Sequence, residues 1–332
     1  MTFSAPRRRL LGIGAAAILC ALAFVFYLAA SYKAPGPAAS DIQLVIPRGA
    51  GAHEIARLLV ERGVLAAEWP FMVGTRWDGT AQRFKAGEYL LAAAISPRAA
   101  GELLASGRTV QRRLTIAEGL TSAQIVALLR NAEGLEGTLD ALPAEGSVLP
   151  ETFFYAWGDN RARLLDRAQR MMRDTLADLW EKRASDLPLA TPAEALVLAS
   201  IVERETAHAD ERARVAAVFV NRLKRKMRLQ ADPTVAYGIS PAGPLGRPLS
   251  RADLETRHAW NTYVIDGLPP TPIANPGRAA IAAVLNPPQT DELYFVSDGD
   301  GRHVFARTLP EHNRNVARLR EIERARAASR QP

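Results

Sequence analysis

Glu203 and Glu205 stand two residues apart at the end of ALVLASIVERET (Ala195–Thr206), and this is the place in the chain best suited to moving a proton. Ala195–Val202 is apolar throughout except for Ser200. A run of that kind is a buried helix or a buried strand. Thr191-Pro192-Ala193-Glu194, just before it, predicts a helix. Thr191 can cap, Pro192 suits the first turn, and Glu194 can complete a capping box. Successive residues on a helix turn by about 100°, so the two glutamates point roughly 200° apart and cannot share one cleft. Glu205 falls on the arc of Leu198, Ile201 and Val202; Glu203 falls with Leu196, Ala199 and Ser200. An ionised carboxylate against apolar neighbours is costly, so the pKa should rise, and the negative end of the helix dipole pushes the same way. A carboxyl that keeps its proton near neutral pH is what a general acid requires. Glu205 is the candidate for that role. The competing reading is a solvated helix end, with both glutamates paired to Arg204 or Arg212.

A second group of residues has the chemistry of a sugar site. Trp260, Tyr237 and Tyr263 lie beside Asn261, Gln230 and Asp232 in two stretches, Leu229–Gly238 and Ala259–Gly277, that read as loops held by prolines and glycines. Flat apolar rings with amide and carboxylate hydrogen-bonders bind sugars well; a well-ordered surface loop would have the same composition. Other chemistries lack their signatures. The sequence has no Walker loop, GxGxxG, GxSxG, HExxH or Cys/His nucleophile pair. Asp298–Gly301 (DGDG) lacks EF-hand spacing, and His303 and His312 lack metal-ligand spacing. The lone cysteine, Cys20, excludes an intrachain disulfide. No cofactor and no metal are expected.

The elements that must hold these residues follow from the rest of the chain. It has 332 residues, enough for two or three domains, and an apolar content of 48% excludes wholesale disorder. A net charge of +7 points to an anionic environment. Arg7–Arg9 precede an uncharged run from Leu10 to Ala30, a membrane-spanning length. Basic residues before the span place 1–9 in the cytoplasm and the bulk of the chain outside it. A cleaved signal peptide is the alternative, but signal apolar regions are shorter. Residues 31–40 read as a linker, and 41–110 as a small α+β region with loosely repeated strand–helix units: strands at Ile42–Ile46 and Tyr89–Ile95, helices at His53–Glu61 and Pro97–Ala105. A strand at Val110–Ile116 and a capping box at Thr121–Gln124 open the next region. Asn131–Gly146 reads as a connector and Val148–Trp157 as extended. Arg161–Lys182 is an amphipathic helix, and Asp210 can cap another whose buried face is Val215, Val218, Phe219 and Leu223. Leu293–Phe305 reads as a β-hairpin, and Glu311–Arg330 as a charged helix. Lys224–Arg228 (KRKMR) reads as a solvated loop, and an exported body argues against a nucleic-acid partner.

With these residues assembled, the chain resembles the endolytic lytic transglycosylases of the bacterial cell wall, the MltG or YceG-like family, from its N-terminal run to about Val316. The resemblance rests on linked motifs: LASIVERET at 198–206, VFVNRL with MRLQADPTVAYG at 218–223 and 227–238, NTYVIDGLPPTPIANPG at 261–277, LYFVSDG at 293–299 and HVFARTLPEHN at 303–313. It departs from the family pattern at Glu151, where Asp is usual, at Ser147 or Val148, where an aromatic is usual, and at Thr271, where Gly is common. The resemblance implies an α+β fold: a membrane helix at 10–30, a LysM-like glycan-binding module at 41–110, then a mainly helical, lysozyme-like catalytic domain at 111–320 with a β-hairpin and long loops, and a charged tail at 321–332. It implies that Glu205 is the catalytic acid, with Gln230, Asp232, Thr234, Tyr237, Asn261, Tyr263 and Glu151 as substrate-binding candidates. It also implies cleavage of the MurNAc–GlcNAc bond within glycan strands to 1,6-anhydro ends, limiting nascent glycan elongation. The setting would be a single-pass inner-membrane protein with its body in the periplasm, with peptidoglycan as substrate and cell-wall synthases as candidate partners. A non-catalytic wall-binding scaffold and a two-carboxylate muramidase are the alternatives.

Overall fold

A computed structural model describes residues 5–329 of the chain. It is mixed α+β, mostly helical, with small two-stranded antiparallel pairings, and divides into two compact units.

The first unit is Met1–Arg112 with Glu133–Leu135 and Phe154–Asp159. It opens with α1 (Ala5–Lys33), whose side chains are exposed from Ala15 to Tyr27. Then come β1 (Ile42–Ile46), α2 (Ala52–Glu61), α3 (Glu68–Trp77), β2 (Gly87–Leu91) and α4 (Pro97–Ser106). β1 and β2 pair with each other, Ile42 opposite Leu91 and Ile46 opposite Gly87, with both helices α2 and α3 between them in the chain. The expected pair of repeated units is therefore one strand–helix–helix–strand unit. The strands close on each other because Leu44, Ile46, Tyr89 and Leu91 must all bury against Ile55, Leu59 and Phe71. α3 was not anticipated, since Trp69, Pro70, Val73 and Gly74 disguise its helical period. α4 has the stop and start signals of its sequence: Ser96 Oγ accepts from Ala99 N at 3.2 Å, and Gly107 ends it in the left-handed region.

The second unit is built on α7 (Pro192–Glu205). Before it in the chain come β3 (Gln111–Thr115), α5 (Ser122–Asn131), β4 (Thr152–Ala156) and α6 (Arg161–Glu181); the residues of β3 and β4 are divided between the two units. After it come α8 (Ala209–Lys224), α9 (Asp232–Ile239), α10 (Arg251–Glu255), α11 (Arg278–Leu285), the hairpin β5 (Tyr294–Ser297) and β6 (His303–Ala306), and α12 (Leu309–Ser329). α7 packs against α6, α8, α9 and α11, and its residues Ala195, Leu198, Ala199, Ile201 and Val202 are the centre of the core. A helix buried on every side reads as a continuous apolar run, which is why no amphipathic period is visible in it. The capping box predicted at Thr121 is present with Gln124. At α7, Thr191 Oγ accepts from Glu194 N at 3.2 Å, while the Glu194 carboxylate reaches Ala190 N at 2.6 Å.

Two stretches differ from expectation. Leu229–Gly238 is not all loop: Asp232–Ile239 is helical, because Pro233 sits in the first turn, where proline is tolerated. Asp210 lies inside α8, and His208 is its N-cap. Ala259–Gly277 is irregular as expected.

Candidate active site

Glu205 is the last residue of α7, half-buried where the helix meets a cavity of about 400 Å³. Arg222 of α8, Leu229, Gln230, Asp232 at the start of α9, and Tyr263 line one part of this cavity. Phe295, Val296, Ser297 and His303 of the hairpin and His312 of α12 line the rest. Among the described residues no group hydrogen-bonds the Glu205 carboxyl. Burial and then the Asp232 charge push its pKa up to about 8, against the opposing pull of Arg222.

Glu203 is the contrast. Its side chain is only 4% exposed, and both oxygens are engaged: Oε2 accepts from Gly277 N at 2.9 Å, and Oε1 lies 3.3 Å from Arg212 Nη2. It ties the end of α7 to the loop before α11 and to α8. The reading of two solvated, arginine-paired glutamates therefore fails for both, though Glu203 does pair with Arg212. Burial raises the Glu203 carboxyl as well, so an elevated pKa does not separate the two glutamates. What separates them is that one carboxyl is consumed by structure and the other faces the cavity.

Arg222 is only 8% exposed and spends its donors on backbone carbonyls. Nε donates to Leu293 O at 2.7 Å, and Nη1 to Leu229 O at 2.8 Å, Arg228 O at 3.2 Å and Gln230 Oε1 at 3.3 Å. One buried cation thus fixes the chain before β5 and the Arg228–Gln230 segment beside the cavity. Gln230 itself is held at φ +49°, a conformation non-glycine residues rarely adopt. Its N–H donates to Thr262 O at 3.1 Å. Tyr263 donates its hydroxyl to Asp232 Oδ1 at 2.5 Å, and burial together with that bond raises the phenol's pKa.

The other expected site residues fall elsewhere. Thr234 and Asn261 have no exposed surface. Thr234 Oγ1 donates to Ala231 O at 2.6 Å and meets Thr262 Oγ1 at 2.9 Å. Asn261 Nδ2 donates to Thr256 O at 2.7 Å and Leu254 O at 3.0 Å, and its Oδ1 accepts from Tyr263 N at 2.9 Å. Both order the two segments that carry Asp232 and Tyr263. Tyr237 stands edge-on to Trp260 at 5.8 Å and donates to Glu145 Oε2 at 3.3 Å, lining a separate groove of about 60 Å³. Glu151 is exposed, with Oε1 accepting from Thr152 N at 2.9 Å, and does not line the Glu205 cavity.

Sequence reasoning missed Arg222, His303 and His312 as cavity residues. Arg222 sits inside VFVNRL on a face read only for its apolar side, and a buried arginine has no local signature. His303 Nδ1 lies 2.8 Å from Glu211 Oε2, which in the neutral ring fixes the proton on Nδ1 and leaves Nε2 as an acceptor. His312 stacks on Tyr294 at 5.2 Å, its Nδ1 is buried without a partner, and burial lowers its pKa. The hairpin, packed on α8, brings His303 to the Glu205 cavity, and α12, packed on the hairpin, brings His312.

Sequence comparison agrees with the motifs. The profile of the YceG-like family matches residues 44–318. The chain is 30% identical over 308 residues to a Bacillus subtilis protein named endolytic murein transglycosylase, covering 83% of this chain and 84% of that one. It is 28% identical over 321 residues to a Streptococcus pneumoniae protein of the same name, covering 82% of this chain and 57% of that one. A crystal structure of a yceG-like protein from Listeria monocytogenes is 27% identical, spans 82% of this chain and 98% of its own, and superposes with a TM-score of 0.49. The chain belongs to the YceG-like family.

Proposed function

We propose that this chain is an endolytic lytic transglycosylase of peptidoglycan, with Glu205 as its acid and base. The observation that carries the reading is a carboxyl that lines a cavity of about 400 Å³ with no hydrogen-bond partner among the described residues, its pKa pushed up to about 8 by burial and the Asp232 charge. The names of the relatives support the substrate class.

One carboxyl suffices because the reaction needs no water. Glycoside hydrolysis uses two carboxylates, one as acid and one to activate or replace water. Here the C6 hydroxyl of the muramic acid residue attacks its own anomeric carbon. Glu205 gives its proton to the departing glycosidic oxygen as that bond breaks. The carboxylate left behind takes the proton from the C6 hydroxyl as the 1,6-anhydro bond forms. An intramolecular nucleophile replaces a second reactant, an advantage that can reach several kcal/mol. The substrate's N-acetyl carbonyl stabilises the positive charge that builds at the anomeric carbon. Burial and then the Asp232 charge raise the Glu205 pKa while Arg222 pulls it down, which leaves it near the value at which both halves proceed. Gln230, Asp232 and Tyr263 orient the sugar, while Thr234 and Asn261 act through the backbone they fix. α1 anchors the chain in the inner membrane with both units in the periplasm, and the strand–helix–helix–strand unit holds glycan.

The test is mass analysis of products from purified wall material, with wild type and Glu205→Gln side by side. Anhydro ends from the wild type and none from the variant are expected. Wild-type activity in Glu205→Gln would end the proposal. Asp232 lines the same cavity, so a two-carboxylate muramidase is the second reading. It predicts ends heavier by one water.

A further inference from the structure

α3 carries an exposed apolar stripe that nothing in the catalytic reading uses. Trp69, Val73 and Trp77 recur at helical spacing and are 37%, 45% and 91% exposed. At about 100° per residue they span one side of the helix with Met72 and Arg76, and no acidic side chain falls among them. A tryptophan almost fully in water is unusual in a soluble surface and typical of membrane–water boundaries, where one end of the ring is apolar and the other wet.

The neighbour of this stripe identifies what covers it. Tyr27, near the outer end of the long apolar helix α1, stacks on Trp69 with ring centroids 5.6 Å apart. Five residues further on, Tyr32 is buried; its hydroxyl donates to Asp78 Oδ2 at 2.6 Å, just past the end of α3. Its ring occupies the space a side chain at Gly74 would fill, with atoms as near as 2.2 Å to where a Cβ would stand. The two helices are therefore locked together at two points. Between Tyr27 and Tyr32 α1 advances about 8 Å, and between Trp69 and Gly74 α3 advances about the same at 1.5 Å per residue, so α3 runs alongside α1. From Trp69 to Trp77 the stripe runs about 12 Å along α3 and straddles the level of Ala30, where the uncharged run of α1 ends.

We propose that α3 lies in the lipid headgroup layer of the membrane that α1 enters, with Trp69, Val73 and Trp77 inserted and Arg76 among lipid phosphates. This rests on reading α1 as a membrane anchor. The contact fixes the orientation of the first unit on the bilayer in a way a single flexible anchor would not.

The experiment uses the full chain in vesicles of phosphatidylcholine and phosphatidylglycerol, with and without brominated acyl chains. Bromolipid should quench tryptophan emission of the wild type. The quenching should diminish in Trp77→Phe and be lost in Trp69→Phe/Trp77→Phe. Trp77 is so exposed that its replacement leaves the fold intact. Cys20, the only cysteine, reports on α1 separately through its protection from a membrane-impermeant maleimide. Protected Cys20 with equal quenching in wild type and double variant would overturn the proposal and leave the anchor standing. Labelled Cys20 would remove the anchor and the proposal with it. Unchanged quenching together with lost sedimentation on purified peptidoglycan would show that the stripe is a sugar platform instead, and would also overturn it.

Discussion

At the scale of the residue, the proposed chemistry turns on how one carboxyl is kept protonated. Burial is the main cause, the Asp232 charge adds to it, and Arg222 opposes. Glu205→Gln should therefore lower turnover by on the order of 10³-fold, within the range general acid–base catalysis supplies, without loss of fold. The acid must be protonated, so kcat/KM should fall as pH rises through about 8. Asp232→Asn removes a charge that raises Glu205 and should move this descending limb to lower pH. A limb that stays in place would dissociate it from Glu205. The same shift makes a stability prediction. Near pH 4 and below, the carboxyl is protonated in folded and unfolded chain alike. As pH rises past 4.5 the unfolded chain ionises while the folded chain holds the proton to about 8, so stability is lost progressively across that window. Glu205→Gln escapes this loss, which amounts to roughly a few kcal/mol at most. The variant should melt above the wild type in mildly alkaline buffer, and the difference should close in acid.

At the scale of the element, α7 is positioned by polar ties that cross from its buried surface. Ser200 Oγ donates to Val197 O at 2.7 Å and accepts from Ile273 N at 3.0 Å, fixing the irregular segment that follows Tyr263. Glu203 holds Gly277 N and Arg212. Glu203→Ala leaves a backbone donor without an acceptor and Arg212 with Glu118 at 3.5 Å as its one acidic partner among the described residues, and should cost about 2–4 kcal/mol in thermal or denaturant unfolding. Glu203→Gln keeps an acceptor for Gly277 N, should cost less, and should retain activity where Glu205→Gln does not. α9 carries a steric constraint: a Cβ on Gly238 would stand 2.1 Å from the His258 ring, whose nitrogens are buried without partners. Gly238→Ala should destabilise by about 1–3 kcal/mol and lower activity through Asp232 at the head of the same helix.

At the scale of the whole molecule, the boundary between the N-terminal apolar run and the folded unit does not fall where hydropathy ends. Residues 31–40 read as a linker, but Tyr32 within that stretch is buried in the first unit and bonded to Asp78. A chain beginning at Ser31 should keep that ring, and one beginning at Ala34 should lose it. The shorter chain should melt at lower temperature, by an amount corresponding to roughly 3 kcal/mol for a buried aromatic. Equal melting of the two truncated chains would show that Tyr32 contributes nothing to the unit.

The sequence alone determined α1, α6, α7, α8 and the hairpin, because apolar runs, apolar periods and caps are local signals, and it picked out Glu205 because a helical period of 3.6 turns two glutamates two positions apart in different directions. It could not decide which loop residues meet Glu205. Gln230, Asp232 and Tyr263 line its cavity, whereas Thr234 and Asn261 are fully buried and Tyr237 and Glu151 are not among its lining residues. Burial on one side of a short helix or an irregular segment depends on what packs there, and that information is carried by residues far away in the chain. Arg222, His303 and His312 were invisible for the same reason: an arginine spent on backbone carbonyls and two rings folded back by a hairpin acquire their roles only when α8, β5, β6 and α12 close around the end of α7.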